Sequence, residues 1–168
     1  MQQIVITLVG SDRPGLVDRV SRLILTHQGN WLASSLSKMA GQFAGIIQVR
    51  INDEHIQPLA DALNDIKELQ CIVQRSDDSE QPAHSMTLSI TVTGNDKPGI
   101  VQEVASAVHK GGGNILKMIS ECESAPNWGG ELFKATLQVG ITQAGQRDGI
   151  RQHIENIAND LMVDISGN

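Results

Sequence analysis

The stretch Gly10-Ser11-Asp12-Arg13-Pro14-Gly15-Leu16-Val17 joins an apolar, β-branched run to a helix-like pattern, and it returns as Gly94-Asn95-Asp96-Lys97-Pro98-Gly99-Ile100-Val101. The copies are 84 positions apart, and the same offset carries Gly29-Asn30 onto Gly113-Asn114. An offset held over about twenty residues is an internal repeat, and the repeat decides the architecture. It divides the 168 residues into a first domain at 1–76, a linker at 77–84 and a second domain at 85–168. Each domain is long enough to bury a modest core.

Outward from the first copy, residues 3–9 read as a central strand covered on both faces or nearly so. Leu16, Val17, Val20, Leu23, Ile24 and His27 recur at helical spacing. A helix is therefore expected from Pro14 to about His27, with Pro14 in the first helical position and Gly29 as the left-handed cap. Residues 30–39 and 43–51 read as strands around a hairpin turn at Gly41-Gln42. Pro58 opens a second helix bearing Leu59, Ala62, Leu63, Ile66 and Leu69, and residues 70–74 form a fourth strand. The order is βαββαβ, an α+β ferredoxin-like unit with an antiparallel sheet and helices on one face.

The second half repeats this order, with strands at 86–93, 115–123, 132–141 and 162–165 and helices at 98–110 and 146–160. Ile150, Ile154, Ile157 and Leu161 form the inward stripe of the last helix. Phe133, Gln138, Val139 and Ile141 match Phe43, Gln48, Val49 and Ile51 at an offset of 90, so six extra residues belong in the hairpin around 124–130, which holds Trp128. Residues 75–84 are polar, contain Pro82 and show no apolar period, as a linker would.

Composition narrows the function classes. The net charge is −6, with seven basic against ten acidic residues in 1–80 and six against nine in 81–168. No basic run or patch stands out, which argues against direct nucleic-acid binding. The apolar run at the N-terminus is too short for a signal peptide, and nothing approaches the ~20 residues of a membrane helix. Cys71 and Cys122 have no CxxC spacing, so a disulfide framework or zinc site is not expected and a reducing cytoplasm fits. The five histidines lack metal-ligand spacing. Gly111-Gly112-Gly113 follows a helix instead of a strand, so it reads as a helix stop and not a nucleotide loop. Glu121 and Glu123 read as a solvated strand face with Lys134 opposite. Ser34, Ser35 and Ser37 have no His/Asp pattern for nucleophilic catalysis.

The duplicated turn itself offers chemistry. A helix start exposes unpaired N–H groups and partial positive charge, and a nearby glycine admits a ligand to the backbone. Such a site suits a carboxylate or phosphate. With Asp12 or Asp96 beside it to face an ammonium, it suits a free amino acid. The competing reading is that the aspartates only cap the helices and Pro-Gly only turns the chain.

The pattern G-x-D-x-P-G-[LI]-V, a helix, then Gly29-Asn30 or Gly113-Asn114 and a strand, within βαββαβ, resembles the ACT domain, a small-molecule sensing module. Two such units across the whole chain, with Asp-Arg-Pro-Gly-Leu-Val early and Asn-Trp-Gly-Gly-Glu-Leu-Phe late, resemble the glycine cleavage system transcriptional repressor family. The resemblance implies a regulator without catalysis or cofactor, paired as a homodimer and tuned by a small amino acid such as glycine. It implies control of transcription through a DNA-binding activator protein. Carried onto this chain, it points to Asp12, Pro14, Gly15 and Leu16 with Gly29 and Asn30, and to Asp96, Pro98, Gly99 and Ile100 with Gly113 and Asn114. An amino-acid-independent interaction module and a regulatory subunit of a metabolic enzyme are the alternatives. Glycine has five non-hydrogen atoms, so a ceiling of about 1.5 kcal/mol per atom limits its binding to ~7.5 kcal/mol, or micromolar affinity.

Overall fold

A computed structural model describes residues 1–76, 84, 86–124, 129–157 and 159–167. Most of the expected linker and the expected hairpin insertion with Trp128 lie outside these residues. The chain forms two compact units, residues 1–80 and 81–168. The first contains β1 (Gln2–Ser11), α1 (Leu16–Thr26), β2 (Asn30–Met39), β3 (Gln42–Ile51), α2 (Asp53–Asn64) and β4 (Leu69–Arg75). The second contains β5 (Met86–Asn95), α3 (Ile100–Lys110), β6 (Asn114–Ser124), β7 (Glu131–Ile141), α4 (Gln146–Glu155) and β8 (Met162–Ser166).

Each unit holds one four-stranded antiparallel sheet, in the orders β2-β3-β1-β4 and β6-β7-β5-β8. Both are therefore βαββαβ ferredoxin-like units. The register carries the duplication: Gln2 pairs with Ile51, and Met86 with Ile141, which are the offsets of 84 and 90 at the two ends of one pair. The irregularity in β2 at Trp31/Ala33 also recurs in β6 at Ile115/Lys117.

The cores are aliphatic. Ile4, Ile6 and Leu8 of β1 meet Ile47, Val49 and Ile51 of β3 beneath Leu16, Val20, Ile24, Leu59 and Leu63 of the helices. Ile90, Val92, Leu137 and Val139 lie beneath Val104, Val108, Ile150 and Ile154 in the second unit. The period of two in β1 is explicit: Ile4, Ile6 and Leu8 are buried, Val5 and Thr7 half-buried, and Val9 exposed. The central strand is thus covered fully on its helix side alone, a correction to the expectation of cover on both faces. The other face exposes Ile46 and Ile72 in one unit and Ile119 and Met162 in the other.

Several helix boundaries differ from expectation. Pro58 lies inside α2, because Asp53 and Glu54 already form an acidic first turn behind Asn52. Acidic side chains at a helix start complement its dipole, a signal that outweighed proline as a start marker. Ile66 follows that helix, Leu69 opens β4 and Leu161 follows α4, yet all three are buried: a loop or a strand end can deliver apolar side chains to the core as a helix does. At the end of α1 the left-handed residue is Gln28 (φ 60°), not Gly29. Gly29 is needed for space, since a Cβ there would lie 2.9 Å from Ile24 Cγ2 and 3.0 Å from Val49 Cγ1.

Candidate functional site

The two strand-to-helix turns are built alike. Gly15 and Gly99 adopt left-handed conformations (φ 83° and 86°) immediately before their helices. That backbone disfavours any other residue, so the glycine is required by the turn as well as leaving it open. Pro14 and Pro98 sit in the turn, one residue before this glycine, and not in the first helical position. The reason is that the left-handed glycine must intervene before helical geometry starts. Neither helix has a side-chain cap, so the reading of Asp12 and Asp96 as capping residues does not hold. Their backbones instead extend the sheet: Asp12 N–H donates to Gly41 O at 2.9 Å, and Asp96 N–H to Glu131 O at 2.9 Å. Among the described residues, Gly15, Val17 and Asp18 in one turn and Gly99, Val101 and Gln102 in the other find no backbone acceptor. Those are the open N–H donors of a helix start.

The carboxylates have different neighbours. Asp12 is ion-paired with Lys38 Nζ of β2 at 2.6 Å. In the second unit the position of Lys38 is taken by Cys122 of β6, and the thiol faces Asp96. Partial desolvation, then the negative charge of Asp96 and a hydrogen bond to it, then Glu131, raise the thiol pKa. Among the described residues no cation pairs with Asp96; Lys97 Nζ reaches Glu103 Oε2 at 2.7 Å. Asp96→Asn is expected to lower the Cys122 pKa and speed its alkylation by iodoacetamide at pH 8. Unchanged alkylation rates would show that the carboxylate does not act on the thiol.

A groove of about 720 Å³ opens at the second turn, lined by Asp96, Pro98, Gly99, Ile100, Cys122 and Phe133 among others. Its floor depends on a size exchange. In the first unit Leu36 lies opposite Gly45, whereas in the second Ser120 lies opposite Ala135. Leu36 packs against the first core, while Ser120 leaves space beside Val101 and Ala105. Around the first turn stand Arg13, Arg19 and Lys38. Arg19 approaches Glu68 at 3.4 Å, and the Glu68 carboxyl is held below its ordinary pKa first by its own backbone N–H and then by Arg19.

The structure therefore gathers Asp96, Pro98, Gly99 and Ile100 at one groove, and Asp12, Pro14, Gly15 and Leu16 at one turn. It does not bring Gly29 and Asn30, or Gly113 and Asn114, to the turn of their own unit. Asn30 is aligned with Arg50 and Gln3, whereas Met39, nine residues on, is aligned with Gln42 and Ser11 beside the turn. At about 3.3 Å per residue the two ends are ~30 Å apart. Gly113 is enclosed by Val139, Ile150 and Val108, and Asn114 Nδ2 lies 3.3 Å from His84 Nε2. Sequence reading missed Ser120, Cys122 and Phe133. Laying β2 on β6 at the offset of 84 would have exposed the changes at the first two. Glu121 does align with Lys134, as expected.

Residues 2–74 match the ACT domain family model. The match spans most of the first unit. The second repeats its topology, so the chain has a tandem ACT fold. No curated protein matches the sequence. Among solved structures, an unknown protein from Galdieria sulphuraria is similar at 25% identity and a TM-score of 0.87, over 99% of this chain and 98% of that one. A candidate glycine cleavage system transcriptional repressor is similar at 17% identity and a TM-score of 0.69, over 99% of this chain and 97% of that one. Likeness at 17% identity establishes the shared fold of both ACT units. No helix among the described residues is long and apolar enough to cross a membrane.

Proposed function

We propose that this tandem ACT protein is a non-catalytic regulator that senses a small amino acid, with glycine the first choice. It controls transcription in the cytoplasm through a DNA-binding activator, as a homodimer. The reading rests on the groove at the second turn, where the Asp96 carboxylate and the open N–H groups of Gly99, Val101 and Gln102 stand together. A zwitterion offers an ammonium to the first and a carboxylate to the second. The carboxylate end gains about 0.3–2 kcal/mol from the helix start, so the ammonium contact supplies much of the polar recognition. The even spread of negative charge over both halves supports contact with DNA through the partner.

Calorimetry of the full chain with glycine and other small amino acids tests the reading. Saturable binding is expected, weakened about 10- to 100-fold by Asp96→Asn, the range for loss of a charge-assisted hydrogen bond. Absence of binding for every amino acid would overturn it. The exposed apolar side chains Ile46, Ile72, Ile119 and Met162 favour a second reading, an interaction module indifferent to amino acids. A partner recovered from the native host whose affinity ignores amino acids would establish that reading instead.

A further inference from the structure

The two turns share a backbone and differ in what the adjoining edge strand presents to them. We infer that Lys38 is a built-in occupant of the first turn, and that Ser120 and Cys122 make the second turn the one that accepts the ammonium group of an external amino acid. This inference rests on the amino-acid-sensing reading above and assigns the ligand to one unit of the two.

Lys38 Nζ lies 2.6 Å from Asp12 Oδ2, and only 27% of the Asp12 side chain remains exposed. Lysine presents the same primary ammonium that a free amino acid carries, and it is tethered. An external ammonium would have to displace it from a carboxylate it already satisfies. Displacement would also leave the first turn, with Arg13 and Arg19 close by, with a further freed cation. The tethered lysine therefore competes with a zwitterion there.

At the second turn every one of these conditions is reversed. Cys122 occupies the Lys38 position and offers a thiol in place of an ammonium; desolvation first, and then Asp96, raise its pKa. The local lysine, Lys97, is engaged by Glu103 at 2.7 Å and does not compete for Asp96. Ser120 occupies the Leu36 position and removes the side chain that would fill the groove. Pro98, Ile100, Val101, Ala105 and Phe133 supply an apolar wall beside the carboxylate. Glycine needs little of the 720 Å³, so the site also admits an aliphatic side chain. The ligand class is an α-amino acid that is small or aliphatic, bound once per chain.

The test follows backbone amides of the full chain by two-dimensional NMR during titration with glycine and with L-valine. In the wild type, at least one of them is expected to shift Gly99, Val101, Gln102 and Ser120, with one ligand per chain and no saturable shift at Gly15, Val17 or Asp18. Acetate and isobutyrate, which lack the ammonium, should bind at least 10-fold more weakly. The exchange Ser120→Leu with Cys122→Lys should abolish the response at the second turn. The reciprocal Leu36→Ser with Lys38→Cys should create a second response, at the first turn, and raise the stoichiometry to two. Unchanged dispersion of the remaining amides confirms that each variant is folded, and Cys122→Lys alone serves if the double exchange is not. Equal responses at both turns of the wild type, a response at the first turn only, or wild-type binding by the second-turn exchange would overturn the assignment while amino-acid sensing stands. No response at either turn with either amino acid overturns both.

Discussion

Replacing Leu137 with alanine is expected to destabilise the second unit by about 3 kcal/mol, within the range of about 2–5 kcal/mol for truncating a buried leucine. Leu137 is fully buried in β7, at the centre of a cluster that also contains Ile90, Val104, Val108 and Ile150. Among the described residues, no aromatic side chain except Phe133 is buried in either core, so little large side-chain volume is available to collapse into the cavity. The first core is a separate cluster built on Ile6, Ile47 and Leu59. Hydrogen exchange should therefore accelerate at the amides of β5 and β7 and stay near wild-type rates at those of β1 and β3. Equal acceleration in all four strands would mean that the two cores unfold as one.

Gly10→Ala is expected to cost about 3 kcal/mol, and Gly94→Ala about 1 kcal/mol or less. The two glycines are repeat equivalents at the end of the central strand, and neither has a positive φ. The difference lies in what a methyl group would meet. At Gly10 it would run into the backbone carbonyl of Glu68, with Leu69 Cα at 3.1 Å, and a backbone locked in the β1–β4 ladder cannot step aside. At Gly94 it would meet Leu161 Cδ2 at 2.5 Å, the far end of a side chain that can rotate, with the nearest backbone atom at 3.4 Å. Alanine also reduces the freedom of the unfolded chain, which offsets about 0.4–1 kcal/mol at both positions. Urea unfolding of the two variants compares them directly, and an equal cost would mean that Leu161 is held as firmly as the backbone.

The same contrast runs through the turns. Asp12 and Asp96 are identical residues in identical backbone settings, yet one carboxylate is neutralised by a lysine and the other faces a thiol. Duplication preserved the turn, because Pro-Gly geometry is written in adjacent residues. It did not preserve the neighbours, which come from a strand more than twenty positions away. In the proposed sensor, the contrast between an open and a closed site comes from two substitutions on that strand.

The linear order of residues was enough for the duplication, the βαββαβ order in each half and most of the inward stripe of α1. Those features repeat every two or about 3.6 residues, and local covalent geometry converts such periods directly into faces. It was also enough to mark the turns at Gly15 and Gly99, since few residues tolerate their backbone. Local signals misplaced the starts of α1, α2 and α3, because proline fits a turn, a helix start or a second helical turn. The composition of the site depended on folding. Strand register set Asn30 and Asn114 at the far end of each sheet and carried Lys38 and Cys122 to the turns. Register is fixed by hydrogen bonds and core contacts between segments distant in the chain, so no window of sequence contains it. The Asp-x-Pro-Gly stretch thus names a turn twice, and the residues brought beside it distinguish the two copies.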